Sequence, residues 1–483
     1  MKIGLTTICY MIPVLLMSGI LKCNAQVSEE YINDIIPPSP EALAITKFGN
    51  TEVSLYNGIP EISIPIWTYQ GGEITIPICL SYKAGGIRVN EIAPSVGLGW
   101  SLHAGGVVSR EVRSLPDDMA TLGYLSSDSL LTPSNTSIPG KQIANNYMMN
   151  HIDSQQDIYN VSFPGGSFSF VITKDSAIFT DPVGNYKIDM ITGTLGIDAY
   201  GSIIGWDITD ENGVLYKFRE QEYSKFLSDS ESHDVIQNKH FVSSWYLSQI
   251  VAPFDDETIN FSYNTFYFTN ELPPNQTFTP DSIGIEQWIN IISKKISTIT
   301  TPNETVTFTY DPAGYRADLA GDKALTSITI SSGSYSKIFN LTYNYMYGNS
   351  LISYTGCSSC TNGNNKSYRL VLKEVQESGS NPYVFDYFNG LPARNAYSVD
   401  HWGYYNGKTN TSLVPLTYYY LIPEEGYSQL GNADRKVDSV YTTCGSLYKV
   451  TYPTKGSTEY KYENNSSCNP YLDYKTESKS YLL

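Results

Sequence analysis

The chain has 483 residues, and its 31 basic against 48 acidic side chains leave a formal charge of −17, which argues against nucleic acid as a partner. Only 16% of residues are charged while 13% are aromatic, and the 40 Tyr far outnumber the 17 Phe and 6 Trp. Tyrosine suits a pleated, half-buried surface, ring packed and hydroxyl wet, so the excess points to β-structure and away from a helical bundle or a disordered tail.

Residues 1–25 read as an export signal: Lys2 supplies the positive start, Ile3 to Leu21 an apolar run, and Cys23-Asn24-Ala25 a small-residue cleavage site. Cleavage is expected after Ala25, which makes the chain exported, either extracellular or at the cell surface. Cys23 also raises lipid attachment, but Lys22 stands where a lipidation signal needs a small residue. Downstream there is no run of about 18 apolar residues, so no integral membrane segment is expected. The spans of an outer-membrane barrel would recur evenly, and the alternating segments here do not.

Residues 26–117 read as an N-terminal β region, in which the hydrophobic period between Ile59 and Arg113 is two. Ile62, Ile64 and Ile66 alternate with Glu61, Ser63 and Pro65; Gln70-Gly71-Gly72 supplies a turn; Ile74, Ile76, Ile78 and Leu80 alternate again. Pro65 and Pro77 cannot donate to a ladder, which places them at an edge or a bulge. In Gly97-Leu98-Gly99-Trp100 the glycines imply a close approach to another backbone while the indole fills a pocket. Residues 118–151 lack periodicity and read as a loop or insertion. Hairpin signals return over 152–243, as in Ile158 to Phe163 and Phe168 to Ile172 around Pro164-Gly165-Gly166. Beyond the signal, one short helix is expected, over Asp281 to Lys295.

Residues 244–483 carry an imperfect repeat. Leu247-x-x-Ile250 leads to Tyr263, Ile296-x-x-Ile299 to Tyr310, Leu325-x-x-Ile328 to Tyr343, Leu372-x-x-Val375 to Tyr387, and Leu447-x-x-Val450 to Tyr462. Each unit is a strand, a turn and a second strand with alternating apolar residues. One hairpin is unstable alone, so the units must pair side by side. The fold expected is mainly β, antiparallel hairpins joined into a large curved or spiral sheet with little helix.

Chemistry-bearing groups are sparse. No metalloprotease helix, phosphate-binding glycine loop or nucleophile elbow occurs, and none of the five histidines has a partner at helical spacing, so neither catalysis nor a cofactor is expected. The densest polar-aromatic cluster is Asp400-His401-Trp402-Gly403-Tyr404-Tyr405. It reads as a turn that locks strands together, against the alternative of a hydrolase centred on Asp400 and His401. Asp210-x-Asn212-Gly213 copies part of a calcium loop without its later ligands, and a turn is favoured. Cys357 and Cys360 have thioredoxin-like spacing in a polar stretch without a following helix; a disulfide stapling the loop is the favoured reading, with a metal site including Cys444 and Cys468, or a redox pair, as alternatives.

Leu80-Ser81-Tyr82, Gly97 to Leu102 and Gly106-Val107-Val108-x-Arg110 resemble the N-terminal region of large bacterial RHS/YD-repeat proteins, and more distantly the B components of insecticidal toxin complexes and plasmid-virulence B-type proteins. Phe48 to Pro60, Asp400 to Gly407 and Lys449 to Thr454 are similar to the secreted subgroup, and Tyr310-Asp311-Pro312-Ala313-Gly314-Tyr315-Arg316 resembles a YD repeat. The resemblance implies a β-rich shell that encloses or displays an effector. The long run of YD repeats, the self-cleaving core motif and the C-terminal toxin of that family have no counterpart here, so neither of those activities is carried over. The expected role is a structural or interaction module whose partner is a protein or the remainder of a shell. The alternative is a glycan-binding adhesin using exposed Tyr and Trp. Trp100, Asp400, His401, Trp402, Tyr404 and Tyr405 are the candidate structural or binding residues.

Overall fold

The computed structural model describes residues 35–36, 39–42, 59–60, 62–72, 74–127, 153–227, 239–253, 257–271, 288–348, 350–353, 365–420 and 427–464. The signal segment, most of the 118–151 insertion and the Cys357–Cys360 pair lie outside them.

The two-residue strand β1 (Ile35–Ile36) joins the main sheet, whereas β2 (Ile62–Gly71), β3 (Ile74–Tyr82) and β4 (Trp100–His103) form a separate three-stranded sheet. Burial along β2 and β3 alternates as their isoleucines do. Pro65 lies on the outer strand beside a register shift. Pro77 precedes the stretch, Cys79 to Tyr82, on which β4 pairs. Both prolines therefore lie where the sheet is open on one side.

The next strands, β5 (Val107–Arg113), β6 (Ile158–Phe163), β7 (Gly166–Ile172), β8 (Ile178–Asp181), β9 (Lys187–Thr192), β10 (Ala199–Tyr200), β11 (Ile203–Thr209), β12 (Leu215–Leu227) and β13 (His240–Val251), belong to one twenty-stranded sheet. Hydrogen-bonded neighbours run β8-β7-β6-β5-β13-β12-β11-β9. In a flat sheet β6 and β11 would stand four spacings apart, roughly 19 Å. Yet Tyr159 on β6 meets Trp206 on β11 at 5.2 Å between ring centroids, and Phe163 meets Tyr216 on β12 at 4.6 Å. The sheet therefore curls back on itself around an aromatic core, in which Trp206 also packs edge-on to Trp245 at 5.7 Å.

A second closure follows with β14 (Thr258–Glu271) and β15 (Trp288–Thr300). β12 pairs with β13, β13 with β14, β14 with β15, and β15 returns to β12, so two long hairpins cross into a four-strand ring. Glu222 is buried between them, accepting hydrogen bonds from Ser293 Oγ (2.9 Å) and Tyr246 OH (3.3 Å); burial raises its pKa. The helix expected over Asp281 to Lys295 is corrected here: from Trp288 onward the segment is strand β15. Ile289, Ile291 and Ser293 are buried on alternate positions, and pairing on both sides overrides a local preference for helix.

The sheet continues through β16 (Thr305–Tyr310), β17 (Leu325–Ser332), β18 (Tyr335–Tyr347), β19 (Ser350–Ser353), β20 (Tyr368–Glu377) and β21 (Tyr383–Tyr387), then, beyond the small ribbon β22 (Thr417–Tyr420) and β23 (Tyr427–Leu430), through β24 (Leu447–Thr451) and β25 (Ser457–Glu459). Strands from residues 26–117, 152–243 and 244–483 all enter this sheet, and Ile35 onward forms one compact unit.

The repeat has a physical explanation. In a regular strand residues i and i+3 face opposite sides, yet both apolar residues of every Leu-x-x-Ile unit are buried. A register shift lies just after the first one each time: Tyr263 stands opposite Ile296, Tyr310 opposite Leu325, Tyr343 opposite Leu372 and Tyr387 opposite Leu447, while the neighbouring pair skips one residue. Leu247 shows the same shift opposite Phe218. The extra residue of the bulge returns i+3 to the inner face. Each hairpin's own ladder stops short of the opening residue, and the carbonyl there is taken by the unit's closing tyrosine. Tyr263 OH donates to Leu247 O (2.7 Å), Tyr310 to Ile296 (3.0 Å), Tyr343 to Leu325 (2.5 Å), Tyr387 to Leu372 (2.7 Å) and Tyr462 to Leu447 (2.5 Å).

These five latches let each closing strand leave its hairpin partner and pair with the next unit. Tyr343→Phe should leave a buried carbonyl bare and cost about 1–3 kcal/mol. Urea denaturation checks this against Tyr335→Phe at an exposed turn position, which should shift stability by less than about 0.5 kcal/mol.

Candidate functional site

The residues singled out in the sequence gather where the segment 82–106 crosses the hairpin wall. Gly97 has φ +101°, and a Cβ there would lie 2.7 Å from Leu372 N. The neighbouring amide, Leu98 N, donates to Leu370 O at 2.8 Å. A side chain at Gly99 (φ +76°) would meet the Tyr82 ring at 2.6 Å. The two glycines thus permit the close backbone approach that their sequence pattern implies, and Trp100 lies beneath it, fully buried. Its indole packs edge-on to Phe385 at 4.7 Å, and Nε1 donates to Tyr387 OH at 2.8 Å. The Tyr387 hydroxyl is therefore acceptor for Trp100 and donor to Leu372 O, so the indole is wired into the fourth latch. Leu447 N donates to Tyr82 OH at 2.8 Å, which ties β3 to the fifth. Trp100 presents no face to a ligand.

Asp400 to Tyr405 form a second junction. Asp400 is buried, and its Oδ1 accepts from the backbone of Trp402 (2.8 Å) and Tyr404 (3.0 Å). Arg435 donates to the Asp400 carbonyl through Nε and Nη2, and Tyr404 OH donates to Gly85 O at 3.1 Å. Val89 N donates to Gly403 O, and Tyr405 packs on Tyr441 at 5.1 Å. The cluster clasps residues 85–89 to 434–441. His401 is exposed and Trp402 half-buried, their rings edge-on at 6.1 Å. Asp210 caps its own turn, with Oδ1 accepting from Asn212 N and Val214 N.

A buried ionic network, unmarked by any spacing in the sequence, lies between these junctions and the four-strand ring. Arg316, the last residue of the YD-like stretch, bonds Asp318 at 2.7 Å, Asp322 at 2.8 Å and Ala93 O at 2.9 Å. Lys295 pairs with Asp322 at 2.6 Å and approaches Glu41 at 3.7 Å, and Glu41 accepts from Ser95 N at 3.0 Å. Burial works against the Asp318 charge, yet Arg316 and Arg394 hold its carboxyl below the usual range. Alongside lies a cavity of about 90 Å³ lined by Glu41, His103, Tyr246, Tyr263, Lys295 and Tyr310. Ligand pockets usually run from about 300 Å³, so this one suits a few waters. Burial pushes the His103 imidazole down to about 4 and keeps it neutral.

Cys444 is a free, half-buried thiol whose pKa burial raises, while its sequence-stretch companions Cys357, Cys360 and Cys468 lie outside the described residues. Among the described residues one group has metal-ligand spacing, the carboxylates of Asp117, Asp153 and Asp157. No family model matches the chain, and no curated protein matches it. No described helix is long and apolar enough to cross a membrane.

The close approach at Gly97 generates a measurable expectation. Gly97→Ala combines an unfavourable φ with a clash against backbone and should cost about 2–4 kcal/mol. At Gly333, φ +57° with open space around the Cβ position, the same change should cost only about 1–2 kcal/mol. Thermal unfolding of the two variants side by side measures the difference.

Proposed function

We propose that the chain is a non-catalytic, exported structural and interaction module, akin to the N-terminal part of an RHS/YD-repeat shell, and that it joins a protein partner or further shell by lengthening the hairpin wall. One observation carries this reading. In four successive units the latching tyrosine stands opposite the opening residue of the next unit, from Tyr263 with Ile296 to Tyr387 with Leu447. Tyr462 has made its latch to Leu447 O, but no described strand stands opposite it, and the pairing partner of β25 among the described residues is β24. Tyr462, like Tyr263 at the start of the series, is half-buried, whereas Tyr310, Tyr343 and Tyr387 are buried. The register is thus set for one more hairpin, whose opening Leu or Ile would bulge over the Tyr462 ring. A sheet edge that no described strand covers, with its register preset, is a template for strand addition.

The aromatic-rich composition and the net negative charge agree with this role. Trp100 and Tyr404 are buried in structural contacts, so stacking on a sugar would fall to His401, Trp402 and Tyr405.

Mixing the protein with a polypeptide of consecutive YD-type hairpins should give a 1:1 species in size-exclusion chromatography. Tyr462→Ala should weaken that association at least about tenfold, because the ring that seats the incoming bulge is gone. Tyr335→Ala, at an exposed turn, should leave it unchanged. Failure to associate, or association indifferent to Tyr462, counts against the proposal.

A further inference from the structure

Buried polar atoms without a hydrogen-bond partner concentrate at the root of β5 and β6. They include Arg110 Nη2, Ser114 Oγ, Asp117 Oδ2, Asp153 Oδ2 and Tyr159 OH. Asp117 and Asp153 are at most 1% exposed. Arg110 pairs with Asp157 (Nε to Oδ2, 2.6 Å) and Asp118 (Nη1 to Oδ1, 2.8 Å), and its Nη2 remains without a hydrogen-bond partner among the described residues. Neither Asp117 nor Asp153 has an ion-pair partner among the described residues. Asp117 Oδ1 accepts from Asp157 N and Asp153 Oδ1 from Gln155 N, while Oδ2 of each carboxylate has no hydrogen-bond partner among the described residues.

Of the four carboxyls gathered here, Asp117, Asp118, Asp153 and Asp157, Arg110 pairs with two, so among the described residues the cluster brings together more carboxyls than paired cations. Oxygens of Asp117, Asp153 and Asp157 lie within 4.8 Å of one another. That is the span of ligands held at about 2.4 Å from a common Ca²⁺ ion, and an all-carboxylate donor set suits a hard cation. The loop that carries Asp117 is closely wound. Leu125 N donates to Asp117 O, Asp153 N to Leu122 O, and a Cβ at Gly123 would come within 2.5 Å of the carbonyls of Pro116 and Asp117.

We propose that Asp117, Asp153 and Asp157 form a calcium-type divalent cation site. The site pins together the two ends of the 118–151 segment, because Asp117 precedes it and Asp153 and Asp157 follow it. It is independent of the wall-extension role: the residues are remote in sequence from Tyr462, and the site acts on stability.

The competing outcome is a proton shared between Asp117 and Asp153 in place of a metal. Full-length protein stripped with EDTA and titrated with CaCl₂ by calorimetry should bind one Ca²⁺ per chain, with a Kd of about 10⁻⁴ M or tighter. The unfolding temperature should rise with Ca²⁺, and terbium should show tyrosine-sensitised luminescence that Ca²⁺ displaces. Asp153→Asn, which removes a buried charge and so should not prevent folding, should weaken Ca²⁺ binding more than about tenfold and abolish the temperature shift. Absence of Ca²⁺ binding by the wild-type protein, or an undiminished response in Asp153→Asn, overturns the proposal in favour of the proton.

Discussion

A bulge in a buried sheet frees one carbonyl and loosens one amide from the ladder, and both must still be satisfied. The tyrosine latches take the carbonyls. Several of the amides are taken by the segment before β5: Leu247 N donates to Gly106 O, Leu325 N to Ser95 O and Leu447 N to Tyr82 OH. The wall and the N-terminal segment are thus two halves of one hydrogen-bonding scheme. Phenylalanine would fill the same apolar space and leave a carbonyl unsatisfied. This gives five of the 40 tyrosines a structural cause, since the ring is needed for the core and the hydroxyl for the bulge.

How far the fold could be read in advance follows from how local each signal is. Alternation in β2 and β3, the Gly97–Gly99 pair and the order of the repeat units are written in neighbouring residues, and each describes what the structure contains. The offset of three between Leu and Ile is visible in the sequence, but a plain strand cannot bury both, and the bulge that resolves it is a property of the pairing. The segment Asp281 to Lys295 reads as a short helix, yet its described part, from Trp288, is strand. Lys295 is instead drawn inward by Asp322, from a loop far along the chain. The ionic network and the Asp117, Asp153 and Asp157 triad leave no spacing signature at all. Their members come from separate strands and loops and meet only after the sheet has curled.

The same side-chain types reach opposite ends in the two buried acidic clusters. Asp318 receives two guanidinium neighbours and stays ionised, whereas Asp153 has only a share in the field of Arg110, so that burial favours its neutral form unless a cation joins the cluster. Burial alone does not decide the protonation of a carboxylate. The number of cationic donors brought within reach does, and here the topology distributes them unevenly.

The start of the series shows what the latch requires. Opposite Leu247, where later units place a tyrosine, stands Phe218. Its strand lies over the curled sheet, and its ring meets Phe163 at 6.1 Å inside the aromatic core. At that position the preceding hairpin keeps its ladder, pairing Trp206 with Phe218, and the Phe218 carbonyl is held by Arg219 Nη1 at 3.0 Å. A hydroxyl would have entered an apolar core without a carbonyl to meet. Tyrosine therefore appears where the chain begins to exchange one strand partner for the next, and phenylalanine where it does not. The substitution pattern along the repeat is a record of which backbone groups the sheet leaves open.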